Sequence, residues 1–227
     1  MFNVHDDNRF LLGKFHVLML VATLGLWARQ PCDYQSDNQA MNTNHTQVQD
    51  IPFRELGQPS DSITLNVRFM WAHPAHIMAL GFGSGLSPKA PGTVGTLWAW
   101  AMFSMFQDQL SESQWGWMLV ISIVAGWWAC TVTAKHLRVP DPGCIVWDEI
   151  AAFWLVLWLL CPTGIGTQLA AFLLFRFFDA SKIGPVGWAE SLFHDTDTWS
   201  KAGWGIMLDD LVAAFCTLLV MALWRVW

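Results

Sequence analysis

The chain has 227 residues, of which 54% are hydrophobic and only 13% charged, with a formal net charge of −6 and a mean hydropathy of +0.34. Soluble domains carry about 25% charged residues, so this composition points to an integral membrane protein. The acidic balance, with no basic stripe to neutralise phosphates along a duplex, excludes nucleic acid as a partner.

In chain order, the first element is the apolar run Phe15 to Ala28, bounded by Lys14 and Arg29. It falls short of the ~20 residues that an untilted span requires, so an interfacial helix, a signal-like segment, an upstream start-site artefact and a true span all fit it. Residues 29–50 are rich in polar amides without apolar periodicity and read as a linker or disordered segment. The Asn44-His45-Thr46 sequon inside it is too common a pattern to weigh. The chain therefore divides near residue 70, into an N-terminal extension (1–69) and a membrane domain (70–227).

The second part opens on "GFGSGLSPKAPGTVGT", residues 81–96. This is neither GxGxxG nor GxxxxGK[ST], so neither nucleotide-binding fingerprint applies. Gly81, Gly83 and Gly85 give backbone freedom for N–H groups to approach an anion, with Ser84, Ser87 and Thr93 as further donors and Lys89 as a charge. The plain alternative is a re-entrant turn whose glycines allow tight packing. Pro91 and Gly92 start the first span.

Five apolar runs follow: Thr96 to Phe106, Trp115 to Ala134, Ile150 to Cys161, Gln168 to Phe178 and Leu211 to Trp227. They predict an all-α, multi-pass helical membrane protein with about four to five short spans and a re-entrant glycine loop. If each run crosses once, loops 81–95, 135–149 and 179–210 share one side. That side holds Lys89, Lys135, Arg138, Arg176, Lys182 and Lys201, whereas loops 107–114 and 162–167 hold no Lys or Arg. The positive-inside rule then turns the glycine loop to the cytoplasm, with Arg225 the lone exception.

The acidic residues gather on the same side. Asp148 and Glu149 stand at the start of the third run, Asp179 at the end of the fourth, and Asp209 and Asp210 at the start of the fifth. A carboxylate pair at a helix start can simply complement the helix dipole. Three such groups against membrane-depth apolar sequence instead point to a hard-cation site, since Mg²⁺ takes carboxylate and water oxygens. Arg176, Asp179 and Lys182 recur every third residue and share a helix face; the cations suit local ion pairs or, beside a divalent ion, phosphate oxygens. Cys32, Cys130, Cys144, Cys161 and Cys216 lack paired spacing and read as unpaired apolar residues.

The stretches "GFGSGLSPKAPGTVGT", "DPGCIVWDEI", "FRFFDASKIGPV" and "GWGIMLDDLVAA", in this order, resemble the phosphatidylglycerophosphatase A family of bacterial inner-membrane lipid phosphatases. The resemblance covers residues ~70–227. It implies a Mg²⁺-dependent phosphatase that converts phosphatidylglycerophosphate to phosphatidylglycerol and inorganic phosphate, with its active site at the cytoplasmic face. It marks the glycine loop (Gly83, Ser84 and Gly85 among it), Asp148, Glu149, Asp179, Lys182, Asp209 and Asp210. "SKIGPV" and "SKAGWGIMLDD" depart from the usual family tracts, which puts Ile183 and Ala202 in question as functional positions, but not the acids. On this reading Asp148, Glu149, Asp209 and Asp210 hold one or two Mg²⁺ and orient a water, Asp179 is a further ligand or the base that takes the water proton, or one of these carboxylates is the nucleophile, while Lys89, Arg176 and Lys182 bind phosphate oxygens. Oligomeric state is not legible.

Competing readings have weaker support. "DTDT", Asp195 to Thr198, mimics a haloacid-dehalogenase-type phosphatase start but lacks the hydrophobic strand and α/β alternation. No PSGH-type motif is present, and His73, His76, His136 and His194 read as surface or interface residues. A transporter or channel using intramembrane carboxylates would carry them at mid-span rather than at span ends.

Overall fold

The structure, a computed structural model, describes residues 65–161, 163–181, 185–186 and 198–226. The expected all-α class holds: among the described residues there is no strand. The elements are α1 (Val67–Trp71), α2 (Pro74–Ala79), a 3-10 turn (Gly81–Leu86), α3 (Pro91–Phe106), α4 (Glu112–Leu137), α5 (Trp147–Leu160), α6 (Ile165–Ser181) and α7 (Trp199–Val226).

Local chemistry sets most boundaries. Pro91 occupies the first turn of α3, where its missing N–H costs nothing. Helix α4 begins at a capping box, with the Gln114 amide donating to Ser111 Oγ at 3.4 Å and the Ser111 amide to Gln114 Oε1 at 2.8 Å. It ends where Arg138 turns left-handed at φ 58°. Among the described residues, two helices are long and apolar enough to cross a membrane, Glu112–Leu137 and Trp199–Trp224. Trp117, Ile121 and Val124 on the first, and Phe215, Leu219 and Leu223 on the second, are exposed. That is the arrangement of a lipid-facing surface.

Helix α5 is the hub, packed against α3, α4, α6 and α7. Beyond Asp148 and Glu149 in its first turn it is apolar all round, and ten of its fourteen residues are buried, which is what a helix without a polar face requires. Two buried indoles pin it: Trp147 Nε1 donates to Ser122 O of α4 at 3.0 Å, and Trp154 Nε1 to Ala99 O of α3 at 2.9 Å. Both bonds satisfy a polar tip in an apolar interior.

One boundary differs from the sequence reading. The fifth run was expected to open at Leu211, with Asp209 and Asp210 at its start, yet α7 begins at Trp199 and carries the pair roughly three turns inside. The cause is packing. In "SKAGWG" the small residues let α7 close on α4: a Cβ at Gly203 would stand 3.1 Å from Thr131 Cβ. Trp204 stacks on Trp127 at 5.6 Å, whose indole donates to Ser200 O at 3.1 Å. What reads as a helix-breaking tract is a helix–helix contact.

Helices α1 and α2 and the 3-10 turn pack together, and α2 also packs on α4. His76 Nδ1 donates to Phe69 O at 2.9 Å, and its Nε2 meets His136 Nδ1 of α4 at 2.8 Å. Burial holds the His76 imidazole below its ordinary value of 6.5, over the opposing pull of the Phe69 carbonyl. His73 Nδ1 takes the Ala75 amide at 3.1 Å. His76 and His136 thus fasten α2 to α4, within the surface or interface role read from the sequence; His194 lies outside the described residues. The Val146 amide then donates to Ala79 O at 2.9 Å, which ties α2 to the start of α5.

Candidate active site

The first turn of α5 brings Asp148 and Glu149 to the interior. Arg176 and Asp179 face them from the last turns of α6, and Asp210 from α7. One oxygen from each of Glu149, Asp179 and Asp210 lies within 4.8 Å of the others. Asp210 is 3% exposed. Arg176 Nη1 stands 3.1 Å from Glu149 Oε1 and pairs with Asp179 one turn away. All three of these side chains are less than a fifth exposed.

This arrangement is electrostatically incomplete. Two unit charges 4.8 Å apart repel by about 3 kcal/mol at an effective dielectric of 20, and a single guanidinium faces three carboxylates. Asp148 Oδ1 and Glu149 Oε2 are moreover buried without a hydrogen-bond partner among the described residues. Such atoms are costly unless they bind something. The donor set is oxygen only, which fits a hard divalent cation and not one that prefers thiolate or imidazole.

The remaining candidates fall differently. Asp209 Oδ1 accepts the amide of Asp210 at 3.2 Å, turned back on its own helix. In the glycine turn, the Gly83 and Gly85 amides both donate to Leu80 O, at 2.9 and 3.0 Å, and Ser84 Oγ donates to Gly81 O at 2.9 Å. Gly81 (φ 51°) and Gly83 (φ 105°) use their backbone freedom to adopt positive φ, and Phe82 joins them at φ 55°. Gly85 lies against the Cys144 backbone. The Gly83 and Gly85 amides and the Ser84 hydroxyl are therefore engaged locally. Ser87 Oγ donates to Lys89 O at 2.9 Å. Lys89 is exposed and Thr93 half-buried on the first turn of α3. Lys182 and the DTDT acids Asp195 and Asp197 lie outside the described residues, as do Cys32 and the sequon; Cys130, Cys144, Cys161 and Cys216 form no disulfide.

Gly92 is the contact that sequence reasoning missed. A Cβ there would stand 2.6 Å from Glu149 Cδ, and one at Gly95 would stand 2.9 Å from Val146 Cβ. The start of α3 therefore lies directly on the carboxylate of Glu149. The available signal was the pair of glycines one turn apart in "PGTVG", at the start of an otherwise bulky helix. Asp210, three turns inside α7, also weakens the rule that transport acids are told by mid-span position. Here it stands level with Glu149 at one end of α5 and Asp179 near one end of α6, so the cluster as a whole lies at one end of the bundle.

A family model described as Phosphatidylglycerophosphatase A matches residues 77–225. The chain is similar to Phosphatidylglycerophosphatase A of Escherichia coli (strain K12), 39% identical over 150 residues, which are 64% of this chain and 80% of that protein. It is similar also to Phosphatidylglycerophosphatase A of Haemophilus influenzae, 33% identical over 155 residues, 68% of this chain and 91% of that protein. No solved structure matches.

Proposed function

The chain belongs to the phosphatidylglycerophosphatase A family, and on that premise we propose how its own residues carry the reaction. It is a lipid phosphatase of phosphatidylglycerol synthesis, cleaving the terminal phosphomonoester of phosphatidylglycerophosphate to release inorganic phosphate. The observation that supports an active centre in this chain is the meeting of Glu149, Asp179 and Asp210 around Arg176.

Glu149, Asp179 and Asp210 would hold Mg²⁺, with Asp148 and Asp209 flanking them. Mg²⁺ bound there supplies charge neutralisation of the phosphate and of the charge that develops on it during displacement. Both ion pairs of Arg176 fall on Nη1, which leaves the rest of its fork to nonbridging phosphate oxygens. Lys89, exposed where the glycine turn leads into α3, and Lys182 just beyond α6 are the further cations assigned to the phosphate. Oxygens of the carboxylate cluster accept the proton of the attacking water, and the released glycerol oxygen takes one from solvent.

Phosphate release from phosphatidylglycerophosphate in mixed micelles tests this reading. Turnover is expected to stop in excess EDTA and to return with Mg²⁺ but poorly with Zn²⁺. Full activity in EDTA would remove the cation from the mechanism.

The same premise carries a topology. Helices α3 to α7 each cross the bacterial inner membrane, with the carboxylate end at the cytoplasm, as the distribution of Lys and Arg requires. At about 21 Å, α5 is shorter than the ~30 Å hydrocarbon core; its burial among the other helices makes a short crossing tolerable. Single cysteines at Lys89 and Gly143 should resist a membrane-impermeant label in intact cells, and one at Ser113 should react. Labelling of Gly143 from outside would reverse the orientation and place the site on the wrong face.

A further inference from the structure

Gly92 has no backbone reason to be glycine. It lies in the first turn of α3 and is not among the glycines with positive φ. Alanine is the better helix former, so local propensity alone would favour a side chain here. The reason lies across the interface, where Gly92 and Gly95, one turn apart on α3, form a notch that receives Val146 and Glu149 of α5. Within that notch, Glu149 is gripped on one oxygen only: Oε1 meets Arg176 at 3.1 Å. Oε2 is buried with no hydrogen-bond partner among the described residues. A Cβ at Gly92 would collide first with Glu149 Oε1, the oxygen held by Arg176, and would lie 2.6 Å from Oε2 and from Cδ, whereas one at Gly95 would lie an ordinary 3.5 Å from Oε2.

We propose that Gly92 is a positioning residue of this centre: its missing side chain lets the start of α3 close on Glu149 and, together with Arg176, fixes the carboxylate toward Asp179 and Asp210. The inference rests on the reading of those three acids as a cation centre. Gly92 touches neither substrate nor cation; it acts through the direction of Glu149. With a methyl group at position 92 the carboxylate must shift by more than an ångström or the helix must back away, and either motion opens the cluster.

The test is a double-mutant cycle read by Mn²⁺ binding to the full-length protein in detergent, followed by electron paramagnetic resonance, with Mg²⁺-dependent turnover as the second readout. Gly92→Ala is expected to weaken Mn²⁺ binding about 10-fold or more and to raise the Mg²⁺ concentration for half-maximal turnover to match. Turnover at saturating Mg²⁺ should fall much less. Glu149→Asp alone, which retracts the carboxylate by one methylene, should also weaken binding. In the Glu149→Asp background, however, Gly92→Ala should cost less than about 2-fold, because the clash has been removed. Gly116→Ala, whose Cβ would meet Trp158 at 3.6 Å, controls for an added methyl group in a helix.

A general packing defect would cost the same in both backgrounds, and that result overturns the proposal. So does wild-type Mn²⁺ affinity in Gly92→Ala. If Gly92→Ala alone fails to insert while the double variant inserts and binds like Glu149→Asp, the coupling stands. Wild-type protein that binds no Mn²⁺ overturns the cation centre itself; wild-type protein that binds Mn²⁺ but releases no phosphate overturns the lipid-phosphatase reading and leaves the positioning of Glu149 intact.

Discussion

Asp210→Asn is expected to lower phosphatidylglycerophosphate turnover by ~100-fold or more at saturating Mg²⁺, the loss of one centre-forming charge from a phosphoryl-transfer site. The substitution keeps size and buries an amide where a carboxylate 3% exposed now stands beside two others. That amide is easier to bury than an uncompensated charge, so expression and insertion should be near normal. Glu149→Gln and Asp179→Asn should fall in the same range, for the same oxygens. Asp209→Asn should cost less, because Asp209 Oδ1 is already turned to the Asp210 amide and an amide oxygen can keep that bond. Asp195→Asn and Asp197→Asn should retain most activity. Measuring phosphate release and membrane abundance together for these variants decides the assignment. If Asp210→Asn works normally while a DTDT variant is dead, the centre lies in the DTDT tract instead.

The contrast between Asp209 and Asp210 shows what the sequence could and could not carry. Consecutive residues on a helix point about 100° apart, so Asp209 and Asp210 leave α7 in different directions. Which of them faces inward depends on how α7 is rotated against α5 and α6, a property of packing that no local pattern contains. Asp148, Glu149 and Asp179 were legible because each sits where an apolar run meets polar sequence, and positive-inside parity brought those junctions to one side. The start of α7 was not legible: "SKAGWG" has the composition of a loop, and only the fit of Gly203 on Thr131 and of Trp204 on Trp127 makes it helix. In the glycine loop, backbone freedom at Gly81, Gly83 and Gly85 was legible, and Gly81 and Gly83 use it at positive φ. The direction of its N–H groups, toward Leu80 O, follows from tertiary closure of the turn. The contact of Gly92 with Glu149 was illegible for a related reason, since the two residues are distant in sequence.

Arg176→Met should produce the largest change in stability, and the sign of its response to Mg²⁺ is the informative part. The guanidinium pairs with both Glu149 and Asp179, and removing one partner of a poorly solvated ion pair costs about 3–5 kcal/mol, because the remaining charges stay desolvated and unpaired. Here the remaining charges are three carboxylates within 4.8 Å. Without a divalent cation the variant should therefore unfold well below wild type in detergent. Mg²⁺ should stabilise it more than it stabilises the wild type, since the cation then supplies the only compensation left. Turnover should remain at least ~100-fold down even when Mg²⁺ has restored the fold, because the phosphate oxygens have lost their fork. Arg176→Lys should recover most of the stability and little of the turnover: a point charge offsets the carboxylates, but it cannot hold Glu149 and Asp179 through one nitrogen while offering others to phosphate. An Arg176→Met protein as stable as wild type without Mg²⁺, and indifferent to its addition, would mean that these acids are neutral or apart in the membrane, and that the cation is held elsewhere.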